Sequence, residues 1–304
     1  MCALFGFVDY KHRQSPAFLT NLYDNLAVAC EERGINASGV AYLHNDRLLI
    51  HKNPVRASEL GFRIHRDVHT VMGHARLTTQ GPEQKNYNNH PFEGRLEGYD
   101  FALAHNGVIW NDKSLRQHEL LPLTTIETDS YIIVQLLESR ANLSLKTLSE
   151  VAELLEGSFT VSILDDSGNL FIIKGSNPIY VIDFTVEGLL VYASTEAILW
   201  RALANTTILS DASRHKFAEF DVLTLVNGDI LRISKSGEIS RHTFNTNDSL
   251  YNCESEDFPM DQAMLEHLMV CSQEAGHSAD HVFELLHEGH SLVEIAEYLG
   301  CNYQ

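Results

Sequence analysis

The chain opens Met1-Cys2, and cysteine is small enough for the initiator methionine to be removed ahead of it. The mature terminus would then carry a thiol and a free α-amine on one residue. A free α-amine has a reference pKa of about 7.7–8.0, so part of it is neutral near pH 7 and can take the proton of the neighbouring thiol. A cysteine at position 2 means little by itself; four later segments give it company. Gly73-His-Ala-Arg76-Leu-Thr-Thr79-Gln-Gly81 follows a strand-like Val71-Met72 and offers one arginine in a glycine-bounded turn, a grip for a carboxylate. Asn89-His90-Pro91-Phe92 sits in a polar loop. Asn106-Gly107 follows the strand Phe101–His105, where a side-chain amide beside a glycine N–H suits an oxyanion. Glu127-Thr128-Asp129-Ser130 opens a helix, and an isolated acid there would ordinarily be an N-cap.

These residues need a scaffold, and the hydrophobic pattern supplies one. Ser15-Pro16 reads as an N-cap with proline at the first helical position. Phe18, Leu22, Leu26, Ala29 and Cys30 recur at helical spacing, with Gly34 placed to close the helix in a left-handed cap. Further helices are expected over about 130–140 and 145–155. Ten short apolar or alternating runs, from Ala3–Val8 to Ile230–Ile233, read as strands. Asp165-Asp166-Ser167-Gly168 and Val226-Asn227-Gly228-Asp229 read as hairpin turns, hence antiparallel pairing. Sheets packed on each other with helices outside are expected.

Composition limits the function. The chain has 304 residues and a net charge of −19, which disfavours nucleic acid and anionic membranes as partners. No apolar run reaches bilayer length and no signal-peptide pattern is visible. The cysteines Cys2, Cys30, Cys253, Cys271 and Cys301 include no C-x-x-C pair. A reducing, cytoplasmic setting is expected. The charge is uneven: after Arg241 there is no lysine or arginine, and twelve carboxylates lie there. Residues 2–243 are therefore expected to form the main domain, 244–261 an acidic linker and 262–304 an acidic helical tail. Within the tail, 281–300 has a helix–turn–helix pattern with a capping box at Ser291-Leu-Val-Glu294. Its second helix carries Glu294 and Glu297 and no cation, so docking on a partner or packing is favoured over DNA binding.

Together the segments resemble the class II glutamine amidotransferases, of the N-terminal-nucleophile hydrolase superfamily. The resemblance covers roughly residues 2–241. It rests on C-A-L-F-G-F from Cys2, Arg33-Gly34-Ile-Asn36-Ala-Ser38-Gly39, the G-H-x-R, N-x-H-P, H-N-G-x-I and E-T-D-S segments in family order, and Ser194-Thr195-Glu196-Ala197. It implies an α+β fold, a four-layer αββα sandwich of two antiparallel sheets, here with a small helical C-terminal tail. It implies Cys2 as the nucleophile on the glutamine side-chain amide, with Asn106 and Gly107 as the oxyanion hole. Arg76 would hold the substrate α-carboxylate and Asp129 its α-ammonium. Thr79, His90 and Arg33 match positions that line or brace the pocket. No metal or cofactor is implied.

The sequence departs from the family at Leu77, where tryptophan is common, at Gln80 and at Asn36, which replaces an acid. Relatives fuse this domain to a synthase, and the stretch after Arg241 is short for one. A free-standing glutaminase that passes ammonia from L-glutamine to a separate synthase subunit is thus the leading expectation, with homo-oligomer formation left open. The alternatives are an N-terminal-cysteine amidohydrolase for another small amide, and a non-catalytic binding protein that works through the tail.

Overall fold

The computed structural model describes residues 1–208 and 220–246 and, in the tail, 262–277, 281, 282, 285 and 292–301. Two compact units are present, Met1–Thr246 and Asn247–Gln304. In the first, one seven-stranded antiparallel sheet holds β1 (Ala3–Asp9), β2 (Ala37–His44), β3 (Arg47–Asn53), β4 (Thr70–Arg76), β9 (Tyr180–Phe184), β10 (Leu189–Ala193) and β11 (Asp221–Val222), ordered 11-9-10-1-4-2-3. A six-stranded antiparallel sheet holds β5 (Phe92–Leu96), β6 (Tyr99–Ile109), β7 (Gly157–Asp165), β8 (Leu170–Lys174), β12 (Asp229–Ile233) and β13 (Ile239–Thr243), ordered 13-12-8-7-6-5.

Three apolar clusters define four layers. The first joins α1 (Pro16–Cys30) and α5 (Glu196–Ala204) to the seven-stranded sheet through Leu19, Leu22, Leu26, Leu199, Phe5 and Phe7. The second lies between the six-stranded sheet and the helices α2 (Asp112–His118), α3 (Tyr131–Arg140) and α4 (Leu145–Ala152), with Phe101, Leu103, Ile133 and Leu148. The third fills the space between the sheets with Leu4, Val8, Met72, Ala102, Ala104 and Tyr192. The expected αββα sandwich is therefore present. Strand alternation fixes what else enters the middle layer. Cys2 shares the parity of Leu4 and Val8, His74 and Arg76 that of Met72, and Asn106 that of Ala102 and Ala104. One elementary rule thus turns the candidate residues of three strands toward the same interior.

Ser15 caps α1 as expected, its hydroxyl accepting from Phe18 N at 3.1 Å. Gly34 is not the cap. The helix ends at Glu31 in ordinary right-handed geometry, and a Cβ on Gly34 would meet the Arg76 carbonyl carbon at 2.4 Å. Its value is close backbone approach to the strand end that carries Arg76. The Asp165–Gly168 turn does join neighbouring strands, with Gly168 at φ +84. The turn at Val226–Asp229 is not a hairpin: β11 pairs with β9, β12 pairs with β8, and the chain crosses between sheets there.

In the second unit, α6 (Gln262–Glu274) and α7 (Leu292–Leu299) pack together, with Leu268, Ile295 and Ala296 buried. His277 stacks on His281 at 4.5 Å between ring centroids. Of the expected acidic linker 244–261, residues 247–261 with Cys253 lie outside the described residues, as do eight of the twenty residues of the helix–turn–helix stretch 281–300, Ser291 among them.

Candidate active site

β1 starts one residue after Cys2 and pairs with β4, which ends at Arg76. Cys2 Sγ lies 3.5 Å from the carbonyl of Leu77, directly after that arginine. Burial pushes the thiol up from its ordinary value, while the chain-terminal ammonium, the Leu77 hydrogen bond and Arg76 pull it back. Arg33 braces this terminus, donating from Nε to the Cys2 carbonyl at 2.9 Å and from Nη2 to Met1 Sδ at 3.0 Å.

Asn106 lies on β6, completely buried, and neither Oδ1 nor Nδ2 has a hydrogen-bond partner. A native fold rarely leaves a buried amide in that condition unless the group has work to do. Gly107 follows at φ +142, and a Cβ there would stand 1.9 Å from the Ser158 carbonyl oxygen. Only glycine fits, which fixes the backbone beside the Asn106 amide. A cysteine sulfur, a buried unpaired amide and a forced glycine thus share one interior.

Arg76 is the largest fully buried side chain. Its Nη1 donates to Asn89 Oδ1 at 2.6 Å, and its Nη2 donates to the carbonyls of Gln80 and, at 2.7 Å, Gly81. Three of the five guanidinium donors are thus engaged by the chain itself. The N-cap alternative for Asp129 fails: Ser130 precedes α3 with no capping bond, and Asp129 Oδ2 instead accepts from Ile109 N at 2.7 Å. Burial raises its pKa to about 7, against the pull of hydrogen bonds from Ile109 and Ser130 and of Arg76. Arg76 and Asp129 both act electrostatically on the Cys2 thiol, in opposite senses, so the three lie within electrostatic reach of one another.

His90 lies beside this group rather than in it. Its ring contacts that of His74 at 4.2 Å and faces His105 at 6.5 Å. His74 Nε2 contacts the His105 carbonyl at 3.0 Å, and His105 Nδ1 contacts Ser130 Oγ at 2.7 Å. Burial drives all three imidazoles down, His74 to about 3 and His105 to about 4, so they are neutral. Thr79 is half-buried in the loop after β4, next to Thr78, whose N donates to Asn36 Oδ1 at 2.9 Å. His65 stacks on His44 and His69 on His12, away from His74. Among the described residues no group of three or more His, Cys, Asp or Glu could hold a metal.

The bracing roles of several residues escaped the sequence reading, which has Asn36, Asn88 and Asn89 only as motif positions and does not single out Lys52. Asn36 braces the turn after Arg76, Asn88 and Asn89 tie loops together, and Lys52 donates to the carbonyls of Asn89 and Pro91 at 2.5 and 2.9 Å. Asparagine in the N-N-H-P run was the available signal.

Residues 1–173 match the family model for class-II glutamine amidotransferases. The chain belongs to that family. Glutamine–fructose-6-phosphate aminotransferase (isomerizing) of Staphylococcus aureus strain N315 is 30% identical over 188 residues, covering 59% of this chain and 30% of that one. The enzyme of that name from Chlamydia muridarum is 28% identical over 250 residues, covering 79% of this amidotransferase and 37% of its relative. The chain thus spans about a third of the length of these curated relatives. Among solved structures, glutamine phosphoribosylpyrophosphate amidotransferase from B. subtilis, complexed with ADP and GMP, superposes with a TM-score of 0.60 at 17% identity, covering all of this chain and 65% of that one. That likeness shows the shared fold, two antiparallel sheets with helices outside. Glutamine amide hydrolysis for nitrogen transfer is the chemistry of this family. No helix among the described residues is long and apolar enough to cross a membrane.

Proposed function

We propose that this amidotransferase hydrolyses the side-chain amide of L-glutamine through Cys2 once Met1 has been removed, and hands the ammonia to a synthase on a separate polypeptide. The observation that carries the reading is the buried, unpaired Asn106 amide next to a forced glycine, in the same interior as Cys2 and Arg76. The Cys2 α-amine takes the thiol proton as Sγ attacks the amide carbon. The oxyanion that forms accepts hydrogen bonds from Asn106 Nδ2 and the Gly107 N–H. The amine returns its proton to the departing nitrogen, the C–N bond breaks, and ammonia leaves a γ-glutamyl thioester. Water then attacks the thioester, losing its proton to the amine; the thiolate leaves, recovers that proton, and glutamate is released.

Free glutamine is a zwitterion, so Arg76 for the α-carboxylate and Asp129 for the α-ammonium would select it over peptide-bound glutamine. Thr79 lines the substrate pocket, His90 braces it from behind, and Arg33 holds the nucleophile's backbone. The pairing of a cation with an anion also favours this reading over a different small amide.

Residues 2–243 are the glutaminase domain in this account, and residues 262–304 are a docking tail joined by the acidic stretch 244–261. The tail's carboxylates, unaccompanied by lysine or arginine, suit a basic partner face, and the setting is cytoplasmic. Glutamate release from free glutamine by the Met1-free protein tests the activity. Association with a synthase that survives removal of residues 247–304 would contradict the docking role.

A further inference from the structure

We propose that the adjacent asparagines Asn88 and Asn89 set the separation between the two substrate grips, each holding one of them. This rests on the reading of Arg76 and Asp129 given above. Both asparagines are completely buried. Asn89 is extended, at φ −91 and ψ 148, and its side chain turns to Arg76. Its Oδ1 accepts from Nη1 at 2.6 Å, and its Nδ2 donates to the Glu83 carbonyl at 2.8 Å and to Asn86 Oδ1 at 3.1 Å. All of its side-chain contacts serve the arginine and the loop that folds over it.

Asn88 turns the other way. Its Oδ1 accepts from Glu127 N at 2.9 Å, and its Nδ2 donates to Glu127 Oε2 at 2.8 Å and to the Pro82 carbonyl at 3.3 Å. Its carbonyl accepts from Thr128 Oγ1 at 3.0 Å. Four contacts thus place the two residues directly before Asp129 or close the loop between them. Neighbouring Cα atoms are about 3.8 Å apart whatever the sequence. A dipeptide with one side chain on Arg76 and the other on the segment leading to Asp129 is therefore a spacer of fixed length.

The substrate explains the need. The carboxylate and ammonium of an amino acid sit on one carbon, so grips that drift apart by more than about 0.5 Å can no longer hold both. Arg76 ends a strand of one sheet, whereas Asp129 lies beyond β6 of the other. Their spacing would otherwise depend on how the two sheets sit together. Asn88 and Asn89 act as positioning residues that remove this dependence.

The test uses the full-length protein without Met1. Asn88→Ala and Asn89→Ala are made, with the isosteric Asn88→Asp and Asn89→Asp as second variants that keep the packed volume. Glutamine kcat and KM are measured, along with Ki for two half-substrates. Glutaramate lacks the ammonium; 4-aminobutanamide lacks the carboxylate. Asn89 variants should raise the glutamine KM and the glutaramate Ki about tenfold or more while shifting the 4-aminobutanamide Ki less than about twofold. Asn88 variants should raise the glutamine KM and the 4-aminobutanamide Ki and spare that of glutaramate. Equal losses in both Ki values, or an unchanged glutamine KM, overturn the proposal. If the wild type binds glutamine but does not hydrolyse it, the proposed activity fails alone, and calorimetric Kd values for the same three ligands decide the spacing. Absence of binding by all three overturns both.

Discussion

The Asn177 side-chain amide donates a 2.8 Å hydrogen bond to the main-chain carbonyl of Asn106, and both residues are buried. Asn177 follows β8 and is itself held by Thr160 Oγ1, which donates to its carbonyl at 2.6 Å. The backbone carrying the proposed oxyanion donors is thus fixed from the neighbouring strands, while the Asn106 side chain makes no bond to the protein.

That contrast separates stability from rate. Asn106→Ala should lower kcat by about two to three orders of magnitude with little change in KM. Its stability should match or exceed that of the wild type, because a buried unpaired amide is removed. Gly107→Ala, one residue on, should also lose activity but cost roughly 1–3 kcal/mol or more through collision with the Ser158 carbonyl. Steady-state kinetics and urea unfolding of the two variants read both effects.

Glutamine binding should depend on pH through Asp129. Only its carboxylate attracts the substrate ammonium, and burial holds its pKa at about 7. Affinity should therefore fall about tenfold for each unit below pH 7. Calorimetry on Cys2→Ala isolates this effect from the titration of the nucleophile. Asp129→Asn should bind weakly at every pH and lose the slope.

The histidine cluster should make the fold acid-sensitive. His74, His90 and His105 are neutral when folded and take up protons near 6.5 when unfolded. Their lowered native values mean that stability is fully present above pH 6.5 and is lost as pH falls toward 4. Asp129 works against them, because its raised native value lets the folded state hold the extra proton between about pH 4 and 7. Near pH 5 these four groups give a net uptake of about two protons on unfolding, roughly 3 kcal/mol per pH unit. Urea midpoints between pH 4.5 and 6.5 measure the slope. Asp129→Asn should steepen it by about one proton.

Much of the scaffold was legible in the sequence. Buried strands such as Leu189–Ala193 and the face of α1 display their periodicity directly. Among the elements missed, α2 buries only Asp112 and Leu115 and β13 is an exposed edge strand, whereas α5 was missed although its buried Ile198, Leu199, Ala202 and Leu203 recur at helical spacing. The turn at Val226–Asp229 misled because its residues are right for a hairpin, while the choice of sheet is made by partners far along the chain. The candidate site residues stand out in the sequence only as motifs. The partners of Asn36, Asn88 and Asn89 were not legible, since residue type does not reveal which buried group an amide will meet.

Glutamate release by purified protein, with intact mass read on the same sample, tests the central claim most directly. The account predicts that the species lacking Met1 turns over free glutamine with one ammonia per glutamate. It also predicts that the Met1-bearing species and Cys2→Ala do not. Equal turnover by Cys2→Ala would contradict the assignment of the nucleophile.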